Sequence, residues 1–284
     1  EDGTKKFPGE TKPQDGKKIA GNESYVGASF KFVAESLQDL IIELDLPKFE
    51  LKPLPGWAFK MQNVVLDLSD TKNSPTVKFP NIYNEQQLIP SDQQELWRGF
   101  YGEEVTVTLP PEFQITKSKE RISFGAKGLL IDNFGVSGNF FATNLFNINE
   151  GNAGKWQYSL DSINVDLQVN HFIKAGFNGE LVLPVSKSDS SSNGALAYQG
   201  LITADQHYSV RVEVTEDVDF NIFKGKAKLF PESYIKMEVE NSKFYPEANL
   251  TGLMAFNQEQ KDALDSTSSQ DVKDNDIESL SFEG

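Results

Sequence analysis

Apolar and polar residues alternate with period two over most of the chain. Tyr208, Val210, Val212 and Val214 fall on one face, followed by Val218, Phe220 and Ile222; Ile163, Val165, Leu167 and Val169 behave likewise, as do Ile235, Met237 and Val239. These runs are rich in β-branched and aromatic residues, so they predict strands with one buried face. Helical spacing is scarce. The stretch 36–46 is the best helical alternative, yet Leu40, Ile42, Leu44 and Leu46 alternate cleanly up to Pro47.

Two words recur along the chain. The first reads apolar, any, polar or Gly, apolar, any, apolar, acidic, apolar. It stands as Met61-Gln-Asn-Val64-Val-Leu66-Asp67-Leu68 and returns at 37–44 and 160–167, with looser copies at 102–109, 126–133 and 277–284. Two copies share a longer prefix, led by Trp57 and Trp156. The three-residue step between its first two apolar positions breaks alternation by one residue, which predicts a β-bulge at the polar or Gly gap. Its acids, Glu43, Asp67, Asp132 and Asp166, are read as a solvated outer face that discourages edge-to-edge pairing.

The second word reads apolar, any, Gly, any, apolar, any, apolar, and is centred on Gly138, Gly179, Gly200, Gly225 and Gly252. A glycine there leaves room for a large neighbour or a sharp bend. The segments 126–133 with 136–142, and 160–167 with 177–183, are predicted hairpins. The uneven spacing argues against a propeller with equal blades, while repetition at a few tens of residues points to stacked or extended β-architecture. The fold class is all-β: an elongated, twisted antiparallel sheet of repeated hairpins, curled into a half-open groove or a solenoid-like sandwich.

Composition divides the chain and narrows its chemistry. Residues 1–24 carry lysines among Gly, Pro and acids with almost nothing apolar, and are read as a flexible leader. The repetitive β-domain spans 25–256, with a sub-boundary placed in the polar break at 84–95. An acidic linker follows at 257–276, and 277–284 is taken as the start of a further repeat, as in a fragment of a longer protein. From 257 onward two lysines face eight acids, so this region holds much of the net charge of −15. That charge argues against a nucleic-acid partner. The absence of Cys excludes disulfides, thiolate metal sites and thiol nucleophiles. Only His171 and His207 offer imidazoles, and both fall at turns, outside any nucleophile or metal motif. The acids around Glu216 and Asp217 are read as a strand-connecting turn, not a cation site. No apolar run approaches the roughly 18 residues of a helical membrane span.

Aromatic residues are the remaining lead, with 21 Phe, 8 Tyr and 3 Trp in the chain. Trp97, Phe100 and Tyr101 are dense enough to form a binding platform if exposed, or a core if buried. Trp57 and Trp156, at equivalent repeat positions, are assigned a structural role.

Strand-turn-strand repeats built from these two words resemble the AsmA/TamB type of bacterial envelope protein. That resemblance covers roughly 25–256 and implies β-sheet curled around an apolar groove and a part in lipid movement between membranes. The segments 96–101 and 105–113 are also similar in style to large β-rich proteins associated with phage-tail-like contractile injection systems; this likeness transfers no site residues. The expectation is therefore a non-enzymatic repetitive module of a larger exported or envelope-associated bacterial protein, outside the cytoplasm, acting as scaffold or binding surface. A lipid-carrying groove is the first alternative and a carbohydrate-binding module the second. Its partners are proteins or the remainder of a longer chain, with lipid or glycan as candidate ligands. No cofactor, metal or catalytic residue is implied, although a hydrolase using carboxylates alone stays open.

Overall fold

A computed structural model describes residues 28–36, 39–90, 92–113, 120–153, 156–183, 194–222, 225–256, 262, 268 and 280–283. The expected leader 1–24 and nearly all of the linker 257–276 lie outside the described residues. The strands β1 (Ser29–Ser36), β2 (Asp39–Leu51) and β3 (Leu54–Asp67) come first. A connection over 68–98 contains a helical turn, α1 (Ile82–Glu85), and a 3-10 turn at Gln94–Leu96. Then follow β4 (Gly99–Thr108), β5 (Ser123–Asp132), β6 (Val136–Ala153), β7 (Trp156–Gln168), β8 (His171–Val182) and β9 (Ala195–Thr203). The last group is β10 (Tyr208–Glu213), β11 (Val218–Ile222), β12 (Gly225–Leu229), β13 (Tyr234–Glu240), β14 (Lys243–Ala255) and β15 (Leu280–Glu283). The protein is all-β, and among the described residues its strands form one antiparallel sheet whose order does not return to its first strand. The stretch 36–46, the best helical alternative, belongs largely to β2.

From β1 to β10 every strand pairs with the next in sequence. The later pairings look less regular, because β12 and β13 both pair with β14 while β10 pairs with β13 and β11 with β12. The register resolves this. Tyr208 faces Val239 and Val218 faces Leu229, ten residues further along each strand, so β10 and β11 are halves of one interrupted strand, as are β12 and β13. Pro231 lies in the interruption, where it can offer no backbone donor. Ser233 mends the ladder there, its Oγ taking the Thr251 amide at 3.0 Å and donating to the Thr251 carbonyl at 3.0 Å. The whole sheet is thus a sequential meander of hairpins. The predicted pairs at 126–133 with 136–142 and at 160–167 with 177–183 correspond to β5–β6 and β7–β8.

The bulge predicted by the first word is present, and it lines up across strands. Asn63 has φ +48 and Gly128 φ +58, and both occupy the gap position of their copies. The β2–β3 register shifts at this point, from Leu44 facing Val64 to Leu46 facing Met61. Asn63, Glu103 and Gly128 fall in one transverse row of β3, β4 and β5, where the Asn63 amide donates to Glu103. The bulge returns alternation to the same face: a Cβ at Gly102 would lie 2.8 Å from the Val105 side chain, three residues on.

The second word also has its spatial reason. A Cβ on Gly200 would enter the ring of Phe177, its cross-strand partner. Gly200→Ala is expected to destabilise the protein by about 1–3 kcal/mol through overpacking. Adding Phe177→Leu should recover part of that loss, and a double-mutant cycle in urea would show no coupling if the contact were irrelevant.

Two hairpins close on two-residue turns with both residues at positive φ, Val169 (+49) with Asn170 (+62) and Asn241 (+50) with Ser242 (+62). This is the turn geometry that matches strand twist. A β-branched valine is costly there. Val169 is held by its amide, which donates to Ser137 Oγ at 2.8 Å, and by packing of its side chain onto a hydrophobic core.

The chain divides into two compact units. The first comprises Glu1–Gln114, Lys119–Ala142 and Asn164–Ile173; the second comprises Ile115–Ser118, Thr143–Ile163 and Lys174–Gly284. The polar break at 84–95 lies inside the first unit. There the segment 69–90 lays Val77, Ile82, Tyr83 and Ile89 over Ile41, Val65, Tyr101 and Leu130 of the sheet, with Trp97 between. The core of the second unit is smaller, built on Leu196, Val214, Val218, Phe220 and Ala227.

Candidate functional site

Trp97, Phe100 and Tyr101 do not form one surface. Trp97 and Tyr101 are each 1% exposed and belong to the core of the first unit. Phe100 is half-buried on the opposite face of β4. The expected platform is corrected accordingly: alternation along β4 turns Tyr101 beneath the 69–90 segment, and that segment also covers the Trp97 indole. Glycan stacking on an exposed Trp97 or Tyr101 has no surface here. Of the repeat tryptophans, Trp57 is half-buried edge-on to Phe113 at 6.2 Å, while Trp156 is exposed.

What surrounds Trp97 is a polar anchor inside an apolar core. Its Nε1 donates to Asp132 Oδ2 at 2.7 Å, and the Tyr83 hydroxyl donates to the same oxygen at 2.5 Å. The other oxygen of Asp132 takes the backbone amides of Phe134 (2.8 Å) and Gly135 (3.2 Å). Burial, reinforced by the carboxylate, pushes the Tyr83 phenol far up, so it stays a donor. Gly99 makes this possible, since a Cβ there would lie 2.6 Å from the Trp97 ring. The reading of the word's acids as a solvated face is corrected at Asp67 and Asp132, whereas Glu43 is half-buried and pairs with Lys31 at 3.5 Å. Asp67 is buried, Asp132 is this anchor, and Asp166 accepts from Asn139.

Cross-strand partners share a face, so register assembles the surfaces. In the first unit one transverse row runs Phe32, Ile42, Leu66, Phe100, Ile131 across β1 to β5. The next runs Phe30, Leu44, Val64, Gly102, Leu129. Beyond the bulge row the same face continues as Met61, Val105, Ala126 and as Phe59, Val107, Phe124. This is the back of the sheet relative to the 69–90 segment. Phe30, Phe32, Leu66, Phe124 and Ile131 remain exposed on it.

The second unit repeats the arrangement. One row is Phe177, Gly200, Val210, Met237, Pro246, across β8, β9, β10, β13 and β14. Its neighbour is Ala175, Ile202, Tyr208, Val239, Phe244. Ile202, Tyr208, Ile235, Met237 and Phe244 are 37–59% exposed. The opposite face carries Asn178, Gln199, Arg211, Lys236 and Glu247 in one row. There the Arg211 guanidinium lies over the Tyr234 ring at 3.8 Å, and Lys236 pairs with Glu238 at 2.7 Å. That hydrogen bond lowers the Glu238 carboxyl below its ordinary range. Each sheet region therefore has apolar rows left open, although in the second unit the same face also carries the buried core residues Leu196 and Val214. In the second unit the reverse face is charged and internally paired.

The histidines are far from any nucleophile arrangement in the described residues. His171 is exposed at the start of β8, and His207 Nε2 lies 3.5 Å from Glu238 Oε1 beside a turn. Asp219 pairs with Lys226 at 3.0 Å. Among the described residues no three acidic or histidine side chains gather as a metal site would need, and no helix is long and apolar enough to cross a membrane. No protein family, no curated protein and no solved structure matches the chain.

Proposed function

We propose that the chain is a non-enzymatic β-module of a larger exported or envelope-associated bacterial protein, and that its open apolar faces bind the acyl chains of lipids. One observation carries this reading: the registered apolar rows leave large side chains exposed in both units, Phe30, Phe32, Leu66 and Ile131 in the first and Tyr208, Ile235, Met237 and Phe244 in the second. Exposed apolar patches of this extent mark interaction surfaces in soluble proteins. An extended acyl chain suits a row of flat, laterally repeated contacts, with each buried methylene contributing about 0.8 kcal/mol. The absence of cysteine supports the non-enzymatic part.

The test is a titration with a fluorescent fatty acid. Ile235→Glu combined with Met237→Glu places two carboxylates on the open face, which an acyl chain could contact only by desolvating them. Affinity in the second unit is expected to fall at least tenfold, about 1.4 kcal/mol, with thermal stability nearly unchanged. Equal probe binding by the variant and the parent protein would refute this use of the face.

A further inference from the structure

We propose that β1 is a pairing edge whose partner is β1 of a second copy of this chain, joined antiparallel about a two-fold axis at Phe32. Among the described residues β1 pairs on one side only, with β2, so its other side presents a row of backbone donors and acceptors. Such edges are ordinarily blunted by proline, by charge or by a bulge. The regular stretch of β1, Ser29 to Ala34, has no proline and a single charged residue. That residue, Lys31, reaches Glu43 of its own chain at 3.5 Å. The register shifts only beyond Ala34. Phe30 and Phe32 are 52% and 54% exposed, the most exposed side chains of their rows. β14 shows the contrast. Its stretch 243–248 also lacks a neighbour on one side among the described residues, but it carries Lys243, Pro246 and Glu247.

The occupant is a second copy because the strand complements itself. Residues 1–24 contain no alternating apolar run from which a matching strand could be built. With Phe32 facing itself across the axis, Phe30 meets Ala34 and Lys31 meets Val33 of the second copy. Even-numbered residues then stay on one face, so the row Phe32, Ile42, Leu66, Phe100, Ile131 runs through the axis into its counterpart. The aromatic pair at the axis is a favourable cross-strand contact. Other registers are worse. An axis at Lys31 sets two lysines directly opposite, which is destabilising. An axis at Val33 leaves Phe32 facing Ala34 and draws the irregular end of β1 into the ladder. So short a pairing falls below the roughly 1,200 Å² that separates weak from stable complexes, so the dimer forms as concentration rises and dissociates on dilution. The pairing uses the edge of the sheet, and a failure of the acyl-chain reading would leave it intact.

The chain has no cysteine, so one introduced thiol reports on the axis without interference. Residues directly opposite in an antiparallel pair have Cα atoms about 4.5–5.5 Å apart, within disulfide reach. Mild oxidation of Phe32→Cys is therefore expected to give a covalent dimer, and Phe30→Cys, which faces Ala34 of the second copy, to cross-link at least tenfold more slowly. Sedimentation velocity examines the native edge. The unmodified protein should pass from monomer to dimer as concentration rises, and Phe32→Lys should weaken the dimer at least tenfold. An equal mixture of Phe32→Lys and Phe32→Glu should restore it, which also shows that both variants fold. An unmodified protein that stays monomeric at every concentration overturns the proposal. So does equal cross-linking from positions 30 and 32, or a dimer that Phe32→Lys leaves unchanged.

Discussion

Trp97→Ala is expected to destabilise the first unit by about 3–5 kcal/mol, the usual cost of removing a large aromatic side chain from a packed core. The indole fills the space over Gly99 and meets Phe79 edge-on at 5.7 Å. Its removal opens a cavity beneath the 69–90 segment and takes away a hydrogen bond to Asp132. Urea unfolding followed by far-UV circular dichroism measures the loss. A change below about 1 kcal/mol, accompanied by loss of a ligand, would instead assign Trp97 to a binding surface.

Asp132→Ala should cost about 2–4 kcal/mol, because it strands the Tyr83 hydroxyl and the Trp97 Nε1 as buried donors and frees two turn amides. In a unit of this size, each kcal/mol shifts the melting midpoint by about 2–4 °C. A calorimetric scan should therefore show a fall of roughly 4–16 °C. The corresponding change at Asp166, whose side-chain partner is Asn139, should be much smaller. Equal shifts for the two acids would mean that Asp132 does not anchor the core.

These two residues also show what the sequence could reveal. Period-two alternation, the hairpins and the bulge at Asn63 and Gly128 are local properties, set by side-chain direction and backbone permissiveness, and all were legible. The environments of the repeated acids were not. One position in one word yields a buried acid at Asp67, a core anchor at Asp132 and a side-chain pair at Asp166. The difference comes from the 69–90 segment, which belongs to no repeat. Its apolar residues Val77, Ile82, Tyr83 and Ile89 have no regular spacing, and the polar break read at 84–95 takes in only its end. The strands beneath it are apolar on both faces, as Ile41 beside Ile42 shows, and alternation alone cannot say which face is covered. The open rows needed register as well as pattern, because they join residues up to about a hundred positions apart. The Val169-Asn170 turn lacked the glycine that usually marks such hairpins, and its support from Ser137 comes from a neighbouring strand.

The open apolar face is the centre of the account, and its most direct test is organic extraction of the purified protein followed by mass spectrometry. Stoichiometric acyl-chain lipid is predicted, with less recovered from the Ile235→Glu, Met237→Glu variant. An extract without lipid, from protein that also fails to take up added fatty acid, would contradict it.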